Sequence, residues 1–78
     1  MEDIIKNIIK KNMELDENSE LSFSCYLKDV NINSIKYIMI IVEMEQAFNI
    51  SVDDRWLIFD EQCTLQVFVD MAKDSGAI

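Results

Sequence analysis

The sequence predicts an all-α fold: a small four-helix bundle with three main helices, one short helix and a long first loop. Three observations carry this expectation. Half of the 78 residues are hydrophobic, enough for a globular chain rather than a disordered one. There is no proline and one glycine, Gly76, so the turn punctuation that many short strands need is missing. Apolar residues recur at helical spacing in successive stretches. The length is that of a single domain, residues 1–78.

Ile4, Ile5, Ile8 and Ile9 alternate with Lys6, Lys10 and Lys11, which predicts an amphipathic first helix from about Asp3 to Asn12. The stretch "ELDENSELSFSCYLKDVNIN" is polar and rich in Ser, Asn and Asp. It reads as a long connection pinned by Leu21, Phe23, Tyr26 and Leu27, and long ordered connections in small domains are often functional. The second helix starts at Asn33 or Ser34, both good N-caps, and runs to about Phe48. "VDDRWLIFDE" suggests a short helical segment with Trp56, Leu57 and Phe59 turned inward. Thr64 is expected to cap a last helix that carries Val67, Phe68 and Met71 and ends near Lys73.

The second helix is apolar on two sides. At about 100° per residue, Tyr37, Ile40, Ile41, Met44 and Phe48 form one stripe, a complete core face. Ile35, Ile38, Met39 and Val42 fall roughly opposite, with Lys36 and Glu43 between the stripes. In so short a chain a helix can hardly be wrapped on every side, so the second stripe is expected to be a docking surface. The alternative is that the long loop covers it. Ser34 lies beside this stripe at the helix mouth, where free N–H groups and the positive dipole end would suit a phosphate. The plainer reading of such a serine is an N-cap.

Composition excludes several classes of function. The formal charge is -8, from 15 acids and 7 bases, the wrong sign for a phosphate backbone, so no nucleic acid is expected as a partner. From Glu43 to Asp74 there are eight acids against Arg55 and Lys73 alone, so the acidity belongs to the second half. No apolar run reaches membrane-spanning length and no signal peptide is evident, so a cytoplasmic location is expected, with no membrane partner. In that setting the sequon at Asn49–Ser51 is chance. Cys25 and Cys63 are expected to be free, partly buried thiols. Without histidine, Ser-His-Asp and Cys-His catalysis and His-metal sites fall away. One glycine rules out a glycine-rich phosphate loop, and the acids have no Ca²⁺-loop pattern. Hence neither catalytic residues nor metal ligands are expected, and the chain is not expected to be an enzyme.

The stretch "YLKDVNINSIKYIMIIVEMEQAFNISV" resembles the central signature of acyl carrier proteins and related phosphopantetheine-binding domains. In that family an acidic-Leu-Gly approach leads to Asp-Ser-Leu, then to an apolar helix ending in a Glu-rich turn and Phe-Gly-Ile. Here Leu27-Lys28-Asp29-Val30 matches the approach, Asn33-Ser34-Ile35 the serine motif, and Val42 to Glu45 with Ala47-Phe48-Asn49-Ile50 the helix end. "DDRWLIFDEQCTLQVFVDMAK" is similar to the third helix, threonine cap and last helix of such carriers, so the likeness spans nearly the whole chain.

The resemblance implies that Ser34 carries a phosphopantetheine arm whose thiol holds an acyl or aminoacyl group as a thioester. It implies as partners a phosphopantetheinyl transferase, a loading ligase and downstream biosynthetic enzymes, served by a monomer. Asn33, Ile35, Lys36, Ile38, Met39 and Val42 would form the partner interface. Three departures are visible. Asn33 stands for an aspartate that helps the transferase place its metal ion, and Asn31 stands for a glycine. Lys36 and Met39 stand where carriers of primary fatty-acid synthesis show acids. A freestanding carrier in a specialised pathway, such as nonribosomal peptide or polyketide-like assembly, is therefore the expectation. The alternatives are a housekeeping fatty-acid carrier and an unmodified carrier-like interaction module.

Overall fold

The computed structural model describes residues 2–16 and 18–76. In chain order these form α1 (Glu2–Asn12), the 3₁₀ turn η1 (Lys28–Val30), α2 (Ser34–Phe48), the 3₁₀ turn η2 (Asp54–Leu57) and α3 (Gln66–Asp74). The result is the small all-α bundle that the sequence predicts. Among the described residues there is no strand, only an isolated antiparallel bridge between Tyr26 and Thr64.

One core unites these elements. Ile5, Ile8 and Ile9 of α1 are buried with Tyr37, Ile40, Ile41 and Met44 of α2 and Phe68, Val69, Met71 and Ala72 of α3. Ile4 stays 45% exposed, because three of the four α1 isoleucines already fill the inward arc. Asn12 is buried at the end of α1, where its Nδ2 donates to the Ile8 carbonyl at 2.9 Å. That bond removes the penalty of a buried unpaired amide. Phe48 closes the core stripe of α2 but is only half-buried.

The long connection is tied to the start of α3 rather than draped over α2. The Leu27 amide donates to the Cys63 carbonyl at 2.8 Å, and the Leu65 amide donates to the Cys25 carbonyl at 2.9 Å. The Gln66 amide donates to the Phe23 carbonyl at 3.0 Å. This corrects the expected role of Thr64. Leu65 precedes α3 in helical conformation, with no side-chain cap, because loop carbonyls take the first amides that a threonine hydroxyl would otherwise serve.

The bridge also sorts the loop side chains. Alternate residues point to opposite faces, so Leu27 and Leu65 are fully buried while Tyr26, between Cys25 and Leu27, is 47% exposed. Tyr26 is thus not one of the pins; Leu27 is, with half-buried Leu21 and Phe23. Cys25 and Cys63 are free thiols of intermediate burial. In the short helical segment Trp56 and Phe59 pack against the core, but Leu57 is 40% exposed and Ile58 77% exposed. The tighter 3₁₀ turn changes which residues face inward.

Candidate functional site at the mouth of the second helix

The approach to α2 is built by two asparagines and one buried isoleucine. Asn31 ends η1 with φ 63° and ψ 28°, its amide donating to the Lys28 carbonyl. Among residues with a Cβ, asparagine tolerates this left-handed region best, so Asn31 serves a position that glycine would otherwise suit. Ile32, 3% exposed, then anchors the chain in the core. Asn33 is extended, and its Oδ1 accepts the Lys36 amide at 2.8 Å. The choice between Asn33 and Ser34 as N-cap is thereby settled. Asn33 is the cap, and Ser34 is the first residue inside the helix, with its side chain exposed.

At the far end of α2 the same device recurs. Asn49 has φ 54° and ψ 50°, and its amide donates to the Glu45 carbonyl. The Ile50 amide reaches the same carbonyl at 3.1 Å. The Glu45 carboxylate accepts the Val52 amide at 2.9 Å, so this residue holds the exit turn through both its backbone and its side chain.

The two stripes of α2 have separate fates. Tyr37, Ile40, Ile41 and Met44 are at most 2% exposed. Ile35 is 69% exposed, Ile38 37%, Met39 43% and Val42 43%, so the long loop does not cover the second stripe. Ser34, Ile35, Ile38 and Met39 line a shallow apolar hollow that is widely open to solvent. The structure thus brings together Asn33, Ser34, Ile35, Lys36, Ile38, Met39 and Val42 on the first turns of one helix.

The charges beside the stripe are mostly committed within the molecule. Glu43 pairs with Lys11 of α1 at 3.6 Å, and Glu45 holds the Val52 amide. Lys36, of intermediate burial, is the basic residue of α2. The role of Glu45 in the exit turn was not legible in the sequence, because it depends on a loop residue seven positions away. Behind the site, Tyr37 packs on Phe59 and Phe68 at ring-centroid distances of 5.6 and 5.5 Å, and its hydroxyl donates to the Trp56 carbonyl at 2.6 Å. Burial, chiefly, pushes the Tyr37 phenol up to about 12, with Cys63 adding to the effect.

Among the described residues no cluster of His, Cys, Asp or Glu suits a metal ion, and no helix is long and apolar enough to cross a membrane. No protein-family model matches the chain. Neither the curated proteins nor the solved structures contain a significant match to it.

Proposed function

We propose that the protein is a carrier that holds acyl or aminoacyl intermediates as thioesters on a phosphopantetheine arm attached to Ser34. The observation that carries this reading is an exposed serine at the first position of α2, relieved of capping by Asn33 and opening onto an apolar hollow. Further support comes from Asn31 and Asn49. Both stand where the carrier pattern has glycine, and both adopt the left-handed backbone that glycine serves.

In this reading the Ser34 hydroxyl attacks the phosphorus of coenzyme A that bears pantetheine. The Oγ–P bond forms, the pyrophosphate bond breaks and adenosine bisphosphate leaves. The serine proton passes to a base on the transferase. The helix N-terminus then faces the new phosphodiester with its free amides. The chain itself performs no catalysis; it presents the thioester to a loading ligase and to downstream enzymes, in a specialised rather than a housekeeping pathway. The support for that pathway class is the apolar stripe with Lys36, in place of an acidic helix face.

Incubation with a broad-specificity phosphopantetheinyl transferase, Mg²⁺ and coenzyme A tests the reading by intact mass. One arm should be added, on Ser34, and Ser34→Ala should abolish the addition without loss of helical content. Asn33→Asp keeps the cap and restores the family's acid, so it should speed loading. No addition with several transferases, or addition at another serine, would leave an unmodified interaction module as the better reading.

A further inference from the structure

The hollow beside Ser34 has an occupant suited to it, given the reading of Ser34 as the attachment point, on which this inference rests. We infer that the first part of the arm, the branched segment bearing two methyl groups, lies along Ile35, Ile38 and Met39 on the outside of the bundle. Ser34 is itself one of the four lining residues, so an arm on its oxygen starts within the hollow. The other three are apolar and exposed, and covering them with methyl groups removes apolar surface from water.

Geometry selects which part of the arm fits. From residue 34 to residue 39 the helix axis advances about 7.5 Å. That is too short for the whole arm and long enough for its dimethyl segment, which follows the phosphate directly. The amide-bearing remainder extends beyond Met39, and the thiol end stays in solvent. The inward side of α2 is filled: Tyr37 is stacked on Phe59 and Phe68 and bonded to the Trp56 carbonyl, and Ile41 is 1% exposed. The outer shelf is therefore the surface that the arm meets first.

Nuclear Overhauser spectra of the arm-loaded protein, labelled at Ile δ1 and Met ε methyls, test this. Cross-peaks are expected between the two arm methyls and the methyls of Ile35, Ile38 and Met39. Ile38→Ser and Met39→Gln, both at exposed positions, should weaken them at least about twofold, with the helix backbone unshifted. A loaded protein whose arm methyls show no cross-peak to these three residues overturns the inference and leaves the carrier reading standing. A protein that takes no arm overturns both.

Discussion

The hydroxyl of Tyr37 donates to the carbonyl of Trp56 across 2.6 Å and nineteen residues of chain. This bond joins the inner face of α2 to η2, at a point where Phe59 and Phe68 exclude water from the ring. The segment from Asp53 to Phe59 is thereby held against the helix that carries Ser34 one turn before Tyr37.

Tyr37→Phe should destabilise the fold by about 1–3 kcal/mol, since the Trp56 carbonyl loses its partner. The pH dependence has a definite sign. Burial pushes the folded phenol up to about 12, above the ordinary tyrosine value near 10. The folded state therefore holds this proton more tightly, and the contribution is complete below pH 10 and lost as pH rises through 12. Two pH units correspond to about 2.7 kcal/mol at most. Urea titrations at pH 8 and pH 11, followed by Trp56 fluorescence, should show a smaller loss in Tyr37→Phe than in the parent. Equal losses would place the alkaline transition elsewhere.

The two stripes of α2 differ by a measurable amount. Ile41→Ala or Met44→Ala should cost roughly 2–5 kcal/mol, as truncations of fully buried side chains do. Ile38→Ala and Val42→Ala should cost well under 1 kcal/mol. Phe48→Ala falls between, because that ring is half-buried. Denaturation midpoints for the five variants decide the order. A large loss at Ile38 would mean that the outer stripe is covered in solution.

A third test concerns the clasp between η2 and the end of α3. The Trp56 indole N–H donates to Asp74 Oδ2 at 2.9 Å, and the Arg55 guanidinium pairs with the same oxygen. Trp56 first and Arg55 second hold the Asp74 carboxyl below its ordinary value. A depressed carboxylate stabilises the fold above its unfolded pKa and loses that effect as pH falls through the folded one. The stability gap between the parent and Asp74→Asn should therefore be constant near neutrality and close below about pH 4. Thermal melts at pH 7, 4 and 3 measure it; a gap unchanged at pH 3 would discount the clasp.

What the sequence disclosed and what it hid follow one division. The bounds of α2 were legible because Asn33 and Asn49 act within a few residues of themselves, as a cap and as a left-handed exit. The core stripe was legible because helical periodicity is local, and the exposure of Ile35, Ile38, Met39 and Val42 followed from how few neighbours 78 residues can supply. The start of α3 was not legible, since its amides are met by Phe23 and Cys25 from about forty residues earlier. Tyr26 was misplaced for the same reason: its outward direction is set by pairing with Thr64. Glu43 read as a residue lying between the stripes, yet Lys11 of another helix engages it.

That last pairing leads to the prediction on docking. With Glu43 on Lys11 and Glu45 on the Val52 amide, the acids of α2 serve the fold. In the proposed carrier, the outer stripe should therefore meet a partner mainly through apolar burial, with the acids of the second half mainly raising the encounter rate. Met39→Glu sets a charge where a complex must desolvate it. It should lower kcat/KM for a cognate loading enzyme by about tenfold or more, taking roughly 1.4 kcal/mol or above, with no loss of fold because Met39 is 43% exposed. Lys36→Glu should favour a fatty-acid synthase enzyme with a basic docking surface and disfavour the cognate one. Raising salt should slow the cognate reaction only modestly, since exposed charges are screened while apolar contact is not. Transfer kinetics with both enzymes read all three effects. If Met39→Glu leaves the cognate reaction unchanged, partners do not dock on α2, and its exposed isoleucines need another explanation.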